Sequence, residues 1–132
     1  MYKWLETNSS RLKAISISGD LTYDILLNVV TEVEDLERQN PDGFDRFSDL
    51  RKVENISLDS GEIRNITNRR HIGYLGPPVR SAILASDPAM YGVMRIYAAM
   101  MEPSSIEVGV FYTLEECTRW LGVDPGAVRL ED

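Results

Sequence analysis

A chain of 132 residues with 43% hydrophobic and 27% charged side chains has the size of one domain and enough apolar surface to bury a core, which excludes a disordered polymer. Its 21 acidic and 14 basic residues leave a net charge of −7, so the chain repels phosphate backbones and nucleic acid is not an expected partner. One cysteine, Cys117, excludes an intramolecular disulfide, and one histidine, His71, excludes a multi-histidine metal site.

The N-terminal MYKWLETNSS lacks the basic, apolar and small-residue segments of a secretory signal. No apolar run approaches the ~18 residues of a membrane span, so no integral membrane segment is expected. Together these point to a cytoplasmic protein. The concentrated basic stretch of Arg64, Arg69, Arg70 and His71 reads as a solvated helix end.

In chain order, Tyr2–Glu6 and Leu12–Ser18 are short strands joined by the turn-forming Thr7-Asn8-Ser9-Ser10, a β-hairpin. Lys13, Ile15 and Ile17 share one face of the second strand; Ala14 and Ser16 share the other, where small side chains admit a close neighbour. A helix follows over Thr22–Gln39, with Leu26, Val29, Val30, Val33 and Leu36 at helical spacing, and Glu32, Glu34, Asp35 and Glu37 mostly outward. Thr22 is its expected N-cap. Asn40-Pro41-Asp42-Gly43 ends it.

Phe44–Leu50 reads as a polar strand, and Ser60 to about Arg70 as a second helix with a thin apolar stripe of Ile63 and Ile66. The loop Gly73–Pro78 leads to Val79–Ala85, whose run Ala82-Ile83-Leu84-Ala85 suggests a central strand covered on both faces. Asp87 caps a helix from Pro88 to Met101. Ile106–Phe111 alternates as a strand, and Thr113-Leu114-Glu115-Glu116 opens a last capped helix through Leu121. The chain is expected to be one domain with its core from about residue 12 to 123 and a C-terminal tail over 124–132 whose final residues fray. Strands alternating with helices imply crossovers and a largely parallel sheet, with the hairpin as an antiparallel edge.

Three stretches in this order resemble the SpoIIAA-like branch of the STAS superfamily: Arg46-Phe47-Ser48-Asp49-Leu50; Ser81 to Pro88 running into Tyr91–Tyr97; and Ile106–Phe111 with the helix ending in Trp120-Leu121-Gly122. The resemblance spans about Leu12 to Val123. It implies an α/β fold with a mixed β-sheet of about five strands flanked by about four helices, with βαβ crossovers after the N-terminal hairpin. Members are mostly bacterial proteins. In STAS relatives a strand ending in Asp leads to Asp-Ser-Ser-Gly at a helix start, and the serine before the glycine is phosphorylated by a partner kinase. Here Asp49-Leu50 is followed by Asp59-Ser60-Gly61, with one serine missing and Glu62 after the glycine. The resemblance makes Ser60 the counterpart.

The residues themselves leave that point open. Asp59 and Glu62 have the spacing of a capping box, which gives Ser60 a bland place in the first turn. An added phosphate would instead suit the free N–H groups of a helix start. On the Pro88–Met101 helix, Met90, Met94, Tyr97 and Met101 form a stripe that suits core, dimer interface or an adaptable apolar pocket. Arg95 interrupts that helix and calls for an acceptor, either Asp49 or a bound anion. Cys117 shares the inward stripe of the last helix with Leu114 and Leu121, as a core residue would. No nucleophile elbow, phosphate-binding glycine loop, paired carboxylates or metal-ligand set is present, so no catalysis, metal or cofactor is expected. The reading is a non-catalytic regulatory or protein-interaction module, with a protein partner or a second copy of itself as a homodimer. The alternative is a binding or carrier protein for a small apolar, lipid-like ligand.

Overall fold

The computed structural model describes residues 1–130. Five strands, β1 (Tyr2–Leu5), β2 (Leu12–Thr22), β3 (Asp45–Ser57), β4 (Val79–Leu84) and β5 (Ile106–Phe111), form one sheet in the order β1-β2-β3-β4-β5. β1 runs antiparallel to β2, and the other pairs are parallel. Between the parallel strands lie α1 (Tyr23–Gln39), α2 (Ser60–Gly73) and α3 (Pro88–Met101), with α4 (Leu114–Leu121) after β5.

Because every crossover steps to the next strand in the same direction, α1, α2 and α3 fall on one face of the sheet. There Ile15, Ile17, Leu50, Ile83 and Val110 meet Val29 of α1 and Met90 and Met94 of α3. α4 covers the other face, where Leu12, Ala14, Phe47, Ala82 and Leu84 meet Cys117 and Leu121. The small Ala14 and Ala82 allow this close approach, as the alternation in β2 leads one to expect. β4 is internal and its Ala82 and Leu84 are fully buried.

The caps are local. Thr22, Asp87 and Thr113 each accept from backbone N–H groups in the first turn of α1, α3 and α4. Gly122, at φ +74°, ends α4 in the left-handed conformation that glycine enters without a Cβ penalty.

Three expectations are corrected. β2 and β3 run past Ser18 and Leu50 to Thr22 and Ser57, pairing with each other as a two-stranded ribbon beyond the end of β4. Residues 51–57 carry only Val53 and Ile56 as apolar side chains, so their strand state comes from pairing with β2. The pairing is irregular around Gly19, whose φ of +73° suits glycine alone. α2 runs to Gly73, beyond Arg70, and hands its last backbone bond to Tyr74 N–H. The C-terminal segment is held through residue 130: Asn8 N–H bonds Ala127 C=O, Arg129 N–H bonds Glu6 C=O, and Ala127 and Val128 are buried against the α4 face. Residues 131 and 132 of the expected tail lie outside the described residues.

Candidate functional site

α2 starts at the carboxyl end of the sheet, where β3 delivers the chain through Leu58 to Asp59-Ser60-Gly61. Both halves of a capping box are present: Asp59 Oδ1 accepts from Glu62 N–H at 2.8 Å, and Glu62 Oε1 accepts from Asp59 N–H at 3.0 Å. Ser60 occupies the first helical position and is exposed. Its hydroxyl has no partner among the described residues. Capping is therefore done entirely by Asp59 and Glu62, which leaves the Ser60 hydroxyl free for another use. Asp49 does not end the strand that leads here; β3 continues eight residues further, to Ser57.

The methionine stripe closes into the interior. Met90 and Met94 belong to the core between sheet and helices, and Met101 is fully buried against Tyr74, Val79 and Ile106. The cavity beneath the helices measures about 130 Å³, and of the four stripe residues only Met94 and Tyr97 line it. That volume is near the size of an engineered core void of ~150 Å³ that holds one benzene, and well below the ~300–1,000 Å³ of ligand pockets. The methionines thus act as core filling, and the apolar-carrier reading finds no support in this geometry.

Arg95 and Asp49 do not meet, which corrects the expected ion pair. Asp49 faces the α4 side of the sheet, buried, where Oδ1 accepts from Arg51 N–H and Nε, both at 3.0 Å, and Oδ2 accepts from Arg51 Nη2 at 2.9 Å. The side chain two residues on thus satisfies the carboxylate. Arg95 is on the solvent side of α3, with no side-chain partner among the described residues.

A buried charge cluster lies instead where α1, α2 and β3 meet. The Glu37 carboxylate receives Arg46 Nη1 at 2.6 Å, Arg70 Nη1 at 3.0 Å and Arg70 Nη2. Glu34 receives Arg69 and lies 3.8 Å from Arg70 Nη1. The Arg46 guanidinium stacks 4.3 Å from the Phe44 ring centroid, and its Nη2 has no partner among the described residues. Burial pulls the Arg46 pKa down, opposed by the Glu37 charge. The basic stretch is therefore only partly solvated: Arg70 is buried and Arg69 is tied to α1. The outward reading of the α1 acids is corrected too, since Glu32 also receives Tyr2 Oη and Trp4 Nε1.

Cys117 is fully buried, and burial pushes its thiol up to about 12, so it is no nucleophile at neutral pH. His71 Nε2 lies 2.8 Å from Met100 C=O. Among the described residues no three His, Cys, Asp or Glu side chains converge to hold a metal ion, and no helix is long and apolar enough to cross a membrane.

No family model matches the sequence, and no curated protein matches it. Solved structures do match. An uncharacterised DUF3478-family protein from Shewanella loihica PV-4, described as having a SpoIIAA-like fold, superposes with a TM-score of 0.59 at 13% identity over 92% of each chain. The anti-sigma factor antagonist SpoIIAA in its unphosphorylated form superposes with a TM-score of 0.60 at 13% identity, over 94% of this chain and 99% of that one. The fold is SpoIIAA-like. At this identity the likeness concerns the fold alone.

Sequence reasoning missed the Glu34–Glu37–Arg46–Arg69–Arg70 cluster. Its only sequence signal is a pair of acids three apart on α1 and adjacent arginines on α2, and nothing local says that the two helices are neighbours.

Proposed function

We propose that this chain is a non-catalytic regulatory module of the bacterial cytoplasm that works by binding other proteins, with Ser60 at the α2 N-terminus as its phosphorylated switch. The observation that carries the reading is the exposed, unpartnered Ser60 hydroxyl in the first turn of a helix already capped by its neighbours. The solved SpoIIAA is an anti-sigma factor antagonist with an unphosphorylated form, and its likeness to this chain supports the same style of action here. A phosphate on Ser60 would add about 1.5 to 2 negative charges. The helix dipole favours it by about 0.3–1 kcal/mol, and Asp59 and Glu62 oppose it by a similar amount. The fold therefore tolerates both states, and the charge is read by a partner surface.

The test is mass spectrometry of the protein recovered from its own cells. The tryptic peptide Val53–Arg64 holds Ser57 and Ser60 as its only hydroxyl residues, so fragmentation assigns the site. Phosphate on Ser60, absent in Ser60→Ala, is the expected result. A peptide left unmodified across growth phases and stresses, or modified on Ser57 alone, sinks the reading.

A further inference from the structure

The sheet has an open edge at β5, which pairs only with β4 among the described residues. The strand carries one charge, Glu107, no proline and no register break against β4, so it has few of the devices that discourage edge pairing. Val79 and Ala85 donate to the carbonyls of Ser105 and Phe111. In a parallel ladder alternate residues turn their backbone groups to opposite sides, so Val108 and Val110 present theirs to the open edge. Those of Ile106 are already held by the Ser104 hydroxyl.

α3 runs beside this edge. A groove between them is lined by Arg95, Ala98, Ala99 and Glu102 from the helix and residues 107–110 from the strand. Arg95 and Glu102 sit seven residues apart, hence ~10 Å apart along one helix face, too far to pair with each other. Both are exposed, and neither side chain has a partner among the described residues.

This surface is complementary to itself. If two copies meet antiparallel about a two-fold axis, Arg95 of each falls opposite Glu102 of the other, and the helices cross at Ala98 and Ala99, whose small side chains permit close approach. The same antiparallel arrangement sets Val108 opposite Val110, with Gly109 at the centre, so the outward backbone groups of the two strands satisfy each other. Ala98, Ala99 and Gly109 line the same groove, so one axis through it is required to serve both contacts. We infer that a second copy of this chain docks antiparallel on the α3–β5 edge, joining the two sheets through β5 and locked by reciprocal Arg95–Glu102 ion pairs. The net charge of −7 on each copy is screened beyond ~8 Å at 0.15 M salt, so contacts at the edge decide. This surface is independent of Ser60.

Sedimentation equilibrium of the full chain at 0.15 M salt, over a micromolar dilution series, tests it. The parent chain associates as a dimer. Arg95→Glu sets Glu against Glu102 at both ends, and Glu102→Arg sets Arg against Arg95; each raises the dimer dissociation constant at least about tenfold. An equimolar mixture of the two variants restores association, because the mixed dimer has only opposite charges across its axis. A monomeric parent overturns the proposal. So do single variants that dimerise like the parent, or a mixture no more associated than its components.

Discussion

Replacing Glu37 by Gln should destabilise the fold far more than its place on an outward-looking helix face suggests. The Glu37 carboxylate is only 10% exposed and faces two guanidinium groups that are 11% and 4% exposed. Gln keeps the shape, removes the negative charge, and leaves Arg46 and Arg70 buried side by side. Breaking a buried ion pair from one side costs ~3–5 kcal/mol, because the orphaned charge stays desolvated. Glu34, 3.8 Å from Arg70, retains part of the compensation, so about 3 kcal/mol is expected. For a chain of this length that corresponds to a fall in Tm of about 10 °C. Urea unfolding followed by circular dichroism gives the free energy. Asp35→Asn is the control: its pair with Arg38 is exposed on both sides and should cost under about 0.5 kcal/mol. Adding Arg46→Met to Glu37→Gln should recover part of the loss by removing one orphaned charge. A loss below about 1 kcal/mol for Glu37→Gln would refute the reasoning, since it would mean that the cluster is solvated.

Cys117 makes the fold sensitive to alkali. Its thiol is raised from 9.0 to about 12 by burial, so between these values the unfolded chain has lost a proton that the native chain keeps. Stability is then fully present well below pH 9 and falls as pH rises, by about 1 kcal/mol for the unit between pH 9 and 10 relative to Cys117→Ala. Parallel slopes for the two proteins over that interval would contradict the buried thiol. At the α2 start, Asp59→Ala should cost about 1 kcal/mol through loss of the cap, whereas Ser60→Ala and Ser60→Asp should melt within about 2 °C of the parent. A Ser60→Ala loss as large as that of Asp59→Ala would give the capping role to the hydroxyl.

The elements that were legible in the sequence owe their state to neighbours within a few residues. Thr22, Asp87 and Thr113 cap helices by contacts two or three residues away, and the apolar run in β4 announces a strand covered on both faces. The missed half of β3 has no such signal, because Arg51 to Ser57 become a strand by pairing with Ser18 to Thr22. At the candidate site, the capping box could be read from Asp59 and Glu62 alone. Whether the Ser60 hydroxyl was left over could not, since that depends on every group that might have reached it.

Chain order, caps and hydrophobic periodicity by themselves determined the succession β-β-α-β-α-β-α-β-α and hence a sheet built from crossovers, because each of these signals acts over one or two turns of chain. Only the tertiary structure decided where the charges and methionines went. Glu37 meets Arg70 across 33 residues and Arg46 across nine. Asp49 is satisfied by Arg51 and leaves Arg95 at the surface, and Met90, Met94 and Met101 turn into the core. Burial and ion pairing are properties of the packed whole: a carboxylate's neighbours exist only once α1 lies beside α2 and β3, and no window of sequence contains them both.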